Sequence, residues 1–271
     1  MLSILAALLL SGRAQAWDQK PNLPIEQCLA DLPHGVPVFG RGNTTLECHG
    51  GYALLHDNSA KIAIWAAWTL TPQESVGCIA RTDAFVADAA LPKGQRAEVS
   101  DYNKSGFDKG HMVPDGDLSW DQQVEYESFL MSNMSPQYPN LNRGVWKNLE
   151  ASTRAWAHQR GHSLTVYSGN IYPQGSTRTI GAGRVVVPER LYKIVVDDAT
   201  GEVLAFIFPN VERQDLNLKA KLVSVAEVEA QTGVSFPLPK GADKTAAAKD
   251  VWPADLGDHA AAKKTTCKIK K

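Results

Sequence analysis

Residues 105–117 read SGFDKGHMVPDGD: a charged pair, Asp108 and Lys109, then Gly110 and His111, then a turn rich in Pro and Gly. Gly110 has no Cβ, so another backbone or a phosphate can come close beside the histidine. The Val113-Pro114 step forces extended backbone just after it. His111 is therefore expected near the end of a short extended segment, held but accessible. That suits a general base, since imidazole titrates near neutral pH. A histidine in an ordinary surface loop would have the same local sequence, and the segments downstream decide between the two.

The strongest helical pattern lies at 140–161. Trp146, Leu149, Thr153 and Trp156 follow the 3.6-residue period as its buried stripe, and Gly161 ends it as a C′ glycine. Arg143, Lys147, Glu150 and Arg154 fall at i, i+4, i+7 and i+11, on one face beside that stripe. Alone, this face is a solvated row of salt-bridging charges, and Asn142 at the helix start is an N-cap. Taken with His111, the same residues meet the needs of phosphodiester hydrolysis. These are a base to activate water, a cation to stabilise the phosphoryl and leaving oxygens, and fixed positive groups to hold the phosphate. His111 is the candidate base. Asn142 offers a hard oxygen ligand and Glu150 a carboxylate, a mostly hydrated set that suits Mg²⁺, with Mn²⁺ the second choice. Arg81, Lys109, Arg143 and Arg154 are candidates to hold the phosphate, the arginines bidentately.

Read together, these motifs resemble the DNA/RNA non-specific endonucleases, the sugar-non-specific branch of the His-Me finger (ββα-metal) nucleases. The family signature is D-R-G-H, a spacer, S-N-x-x-P-Q, then L-N-x-G-x-W-x-x-L-E-x-x-x-R. The chain has DKGH at Asp108–His111, SNMSPQ at 132–137 and LNRGVWKNLEASTR at 141–154. Arg81, Phe85 and Asp88 match an upstream element. Pro188, Tyr192, Lys193 and residues 229–236 match later ones, so the similarity covers about 50–240. The resemblance implies an α+β fold with a ββα-metal core embedded in a largely antiparallel sheet flanked by helices. It implies a metal-dependent endonuclease that cuts DNA and RNA without marked sequence preference and leaves 5′-phosphates. In it His111 is the base and Asn142 the one direct protein ligand of Mg²⁺. Glu150 acts through the metal's water, Arg81 and Arg154 stabilise the phosphate and leaving oxygen, and Asp108 orients its neighbours. Lys109 stands where the family usually has arginine, keeping the charge but losing the planar fork. Asn133, Pro136 and Gln137 are read as structural. A catalytically impaired homologue that only binds nucleic acid is the alternative, and Lys109 is its one hint.

Around this unit the chain is ordinary for a globular protein, with 44% hydrophobic and 21% charged residues among 271. Residues 1–16 read as a secretory signal, with an apolar run ending at an A-x-A site, which places the protein in the periplasm or outside the cell. Removing them takes away Arg13 and moves the formal net charge from −1 to −2, so any nucleic-acid site must be a local patch. Neither that run nor any other segment suits a membrane span. Four cysteines, Cys28, Cys48, Cys78 and Cys267, behind such a signal favour two disulfides. Of the three connectivities, Cys28–Cys48 is preferred because it closes a short loop, which leaves Cys78–Cys267. Residues 17–50 read as an irregular arm, 51–240 as the catalytic domain and 241–271 as a loosely held tail. Strands are expected at 51–55, Ile62–Leu70, 164–167, 184–187, 191–196 and 203–208, with a hairpin turn at 198–201. Short helices are expected at 119–128, capped by Ser119, and at 225–231. An inhibitor protein and an oligomeric state are not specified.

Overall fold

The computed structural model describes residues 19, 22–30, 32–40, 42–172 and 177–269. The 1–16 signal segment lies outside them. In chain order the elements are α1 (Ile25–Ala30), β1 (Thr44–Cys48), β2 (Ala53–Asp57), β3 (Ile62–Leu70), β4 (Asp108–His111), α2 (Gln122–Glu127), β5 (Met134–Gln137) and α3 (Lys147–Arg160). After these come β6 (Leu164–Ile171), β7 (Thr179–Ile180), β8 (Val185–Val186), β9 (Arg190–Asp197), β10 (Val203–Pro209), β11 (Leu222–Val223), α4 (Val225–Thr232) and α5 (Leu256–Ile269).

Seven strands form one antiparallel sheet in the order β1-β2-β3-β6-β9-β10-β11. Its interior strand β3 (IAIWAAWTL) is buried almost throughout, which explains why it reads as a continuous apolar run rather than an alternating one. Ala66, Trp68 and Leu70 join a core with Trp146, Leu149 and Trp156 on one face. Ile64, Trp65 and Ala67 join a second core with Tyr192, Val228 and Phe236 on the other. The sheet is thus covered on both faces, and the mixed α+β class follows. β4 and β5 make a separate two-stranded sheet, which with α3 gives a ββα unit lying over the first core.

Four expectations are corrected. The 17–50 stretch is not wholly irregular: α1 forms within it, and β1 pairs with β2 over five residues to become the sheet's edge. The α2 helix is capped by Asp121, whose carboxylate accepts from the Gln123 and Val124 amides, and not by Ser119. The 140–161 helix is not continuous. Gly144 leaves helical geometry (φ −105°, ψ −112°), so residues 141–146 form a wide turn and the regular helix starts at Lys147. The apolar stripe could not reveal this break, since its members begin at Trp146.

The tail is also more ordered than expected. Trp252 meets Trp156 edge to face at 5.4 Å, Arg160 lies over the Trp252 ring at 4.4 Å, and Trp156 Nε1 donates to the Trp252 carbonyl at 2.9 Å. α5 is Ala-rich and so helical by propensity, and Asp255 accepts from the Gly257 and Asp258 amides at its start. Few apolar residues hold it. It is anchored instead by buried His259, paired with the Ser75 carbonyl at 2.9 Å, and by the Cys78–Cys267 disulfide. The second disulfide is Cys28–Cys48, joining α1 to β1. No helix among the described residues is long and apolar enough to cross a membrane.

Candidate active site

His111 ends β4, opposite Met134 of β5. A Cβ on Gly110 would stand 2.2 Å from the Gln137 side chain, so the glycine makes room for Gln137 rather than for a phosphate. Behind the histidine, Asn133 is fully buried and spends its amide on backbone. Its Oδ1 accepts from the Val113 amide, and its Nδ2 donates to the Val113 and Ser128 carbonyls. Trp146 Nε1 donates to the His111 carbonyl at 3.2 Å, which fixes the start of α3 against β4.

The His111 ring is 7% exposed, set edge-to-face on Phe129 at 5.0 Å and near Phe85 at 5.8 Å. Its Nε2 is buried with no hydrogen-bond partner among the described residues. Burial first, with the Arg81 charge adding to it against Asp115, lowers its pKa to about 4. A neutral imidazole with an uncommitted nitrogen can take a proton at neutral pH.

Across from it, Asp108 organises the turn before α3. Its carboxylate accepts the Arg143 fork at 2.8 and 2.7 Å and the Asn142 Nδ2 at 2.9 Å. Burial raises the Asp108 pKa, but the Arg143 and Asn142 hydrogen bonds and the Lys109 charge outweigh it and hold the group below the usual carboxylate range. Since a carboxylate only accepts, Asn142 must turn its NH₂ toward Asp108. That leaves the Asn142 oxygen without a hydrogen bond among the described residues and available to the cleft. The side chain is therefore not an N-cap. The break at Gly144 is what frees this turn from α-helical geometry.

Glu150 lies one turn along α3. Burial raises its pKa to about 7, with Lys193 and Arg154 pulling it down and Asp117 and Asp115 adding to the rise. Beneath it, Lys193 is fully buried, its Nζ lacking any hydrogen bond and stacked 4.6 Å from the Trp146 ring and 5.3 Å from Trp68. Burial lowers the lysine's pKa, against the Glu150 charge. Arg154 is tied to buried Asp117 at 2.7 Å and held above its ordinary range, the neighbouring carboxylates outweighing its burial. It fits because residue 116 is glycine, where a Cβ would stand 2.9 Å from the guanidinium. Arg81 reaches Asp115 at 2.5 Å and Asp83 at 2.7 Å, and covers the Phe129 ring.

Arg81, Lys109, His111, Asn142, Arg143, Glu150 and Arg154 line one cleft of about 540 Å³. Of the site residues read from the sequence, Asp108 alone does not line it and acts from behind through Asn142 and Arg143. With Lys147, five cations face the cleft against two carboxylates, Asp115 and Glu150. In a chain of net charge −1 this is the local positive patch that a polyanion requires. Lys109 keeps its place there, its Nζ 4.6 Å over the Phe85 ring. Sequence reasoning passed over Asp115 and Asp117, which read only as parts of a turn, and gave Lys193 no role.

The model of the DNA/RNA non-specific endonuclease family matches residues 33–242. The chain belongs to that family. A curated relative is the Nuclease of Nostoc sp., 34% identical over 228 residues, covering 80% of this chain and 81% of that one. Human mitochondrial Endonuclease G is 28% identical over 217 residues, covering 75% and 71%. Among solved structures, the EndoG/EndoGI complex superposes with a TM-score of 0.68 at 26% identity, over 76% of this chain and 89% of that one. This endonuclease therefore shares its fold with the EndoG of that complex. The β4–β5–α3 unit is the part of the non-specific endonuclease that carries the cleft.

Proposed function

We propose that the cleft hydrolyses phosphodiester bonds of DNA and RNA with a divalent cation, Mg²⁺ first and Mn²⁺ second, leaving 5′-phosphorylated pieces. The observation that carries this reading is a buried, neutral histidine opening on the same cleft as an unpaired amide oxygen, a carboxylate and five cations. His111 removes the proton of the attacking water. Arg81, Lys109, Arg143 and Arg154 hold the phosphate and offset the charge that grows on it. The Asn142 oxygen and the Glu150 carboxylate carry no hydrogen bond from the described residues, and such a hard, sparse donor set suits Mg²⁺, which keeps several of its waters. Asn142 would bind it directly and Glu150 through water. When bound there, the cation supplies Lewis-acid stabilisation of the phosphoryl and leaving oxygens. Asp108 positions Asn142.

Phosphate contacts carry no sequence information, which accounts for cleavage without marked specificity. The catalytic unit is taken as 51–240. Two disulfides support a place outside the reducing cytosol, either periplasmic or secreted. The test is digestion of supercoiled plasmid and of total RNA by the oxidised protein, with Mg²⁺, with EDTA, and with His111→Ala alongside. Metal-dependent loss of both substrates, absent in the variant, is expected. Near-normal cleavage by a clean, folded His111→Ala preparation would remove the histidine from its assigned role.

A further inference from the structure

Away from the cleft, Glu47 and His49 flank Cys48 at the end of β1 and meet Asp88. All three are buried, at 0%, 6% and 2% exposure. One ligand atom from each lies within 4.8 Å of the others. His49 Nε2 stands 3.5 Å from Glu47 Oε2 and 3.9 Å from Asp88 Oδ2. Among the described residues no donor lies in hydrogen-bonding geometry to either Glu47 oxygen, and His49 Nε2 makes only the long 3.5 Å ion-pair contact with Glu47. Two carboxylates and an imidazole have been gathered out of water, and of the three only Asp88 has its oxygens hydrogen-bonded. A buried carboxylate held only by a long ion pair is costly, and a bound cation would offset that cost.

We propose that Glu47, His49 and Asp88 bind a divalent transition cation, with Zn²⁺ the best fit to the donor set, distinct from the cation of the nuclease cleft. One imidazole nitrogen and two carboxylate oxygens are ordinary zinc donors. Metal–ligand distances of about 2.0–2.2 Å in a tetrahedron separate the donor atoms by roughly 3.3–3.5 Å. The Glu47–His49 spacing already matches, and Asp88 closes the gap by a shift of about an ångström. A doubly charged ion with two carboxylates and a neutral imidazole makes a neutral buried cluster. Asp88 is oriented as metal-binding carboxylates are, by Ser132 Oγ at 2.7 Å on the ligating oxygen and the Ala90 amide at 2.9 Å on the other. Glu127 lies outside this cluster of donor atoms, and its oxygens accept from the Gly50 amide and Gln123. Water completes the set.

Such an ion joins the sheet edge to the segment that carries the cleft. Residue 86 pairs with 129 and 131 through backbone hydrogen bonds, Phe85 packs beside His111, and Arg81 lies on the same segment. The ion is thus a clip that holds the catalytic segment from behind.

The experiment uses the His111→Ala/Asn142→Ala double variant, so that the cleft's own cation is not counted. After chelator dialysis it is titrated with Zn²⁺ by calorimetry, and bound metal is measured by mass spectrometry. One equivalent per chain is expected, lost when Glu47→Gln or His49→Gln is added. Should those additions prevent folding, Co²⁺ is loaded into the double variant and its visible spectrum recorded. Intense four-coordinate bands support the site. The absence of a bound equivalent, retention of it in a folded His49→Gln protein, or a weak six-coordinate cobalt spectrum overturns it.

Discussion

Replacing His111 by glutamine should change how stability depends on pH, and the size of the change follows from the site. The ring is 7% exposed between Phe129 and Phe85 with an unpartnered Nε2, and its pKa falls from 6.5 to about 4. In the unfolded chain the same imidazole takes its proton at the ordinary value. Between those two pH values the unfolded state binds the proton and the folded state does not, so stability falls as pH falls. Above pH 6.5 there is no penalty, and by pH 4 it is nearly complete. At 1.36 kcal/mol per pKa unit, the drop amounts to about 3 kcal/mol. The assay is urea unfolding of wild type and His111→Gln, followed by tryptophan fluorescence in EDTA at half-unit steps from pH 4 to 7.5. The expected outcome is a wild-type stability that falls by about 3 kcal/mol relative to the variant between pH 6.5 and 4. A difference that stays flat over this range would refute the claim that burial keeps the histidine neutral. With His111 in its proposed role as base, the same property puts the acid limb of cleavage near pH 4 rather than 6.5.

Asp108→Ala removes the acceptor that orients Asn142 and should cut turnover by about 10–100-fold, the usual cost of losing a group that holds a metal ligand, with circular dichroism unchanged. Lys193→Met removes the cation beneath Glu150. The carboxyl then rises further above about 7, and the Mg²⁺ concentration for half-maximal cleavage at pH 7 should increase and converge with wild type at higher pH. Trp156→Ala, which empties a fully buried site shared with Trp252, should cost about 3–5 kcal/mol in urea unfolding.

The parts of the site that could be read from the sequence are those whose chemistry is packed into short segments. DKGH lies on one four-residue strand and the Asn142 to Arg154 run spans a little over three turns, so residue type and spacing, together with the family resemblance, pick these groups out. The interior strand β3 was legible for a similar reason, as its β-branched and aromatic run has one sensible home. What could not be read depends on partners far along the chain. Asp117 matters because Arg154 arrives from 37 residues away, and Lys193 because Trp68 and Trp146 close over it. Glu47, His49 and Asp88 become neighbours only once the sheet edge meets the segment after β3. α5 escaped notice because anchoring by His259 and a disulfide leaves no apolar period to find. The break at Gly144 was hidden by a stripe that begins after it.

The Cys78–Cys267 link sets an order of assembly. It closes across 189 residues, and Cys78 sits three positions before Arg81. The disulfide itself can close only after the ββα unit and the sheet have been synthesised, and only where an oxidant is present. Oxidation thus adds a covalent hold on the Arg81 segment that comes later than the noncovalent ones, the ion pairs to Asp83 and Asp115 and the backbone pairing of Val86.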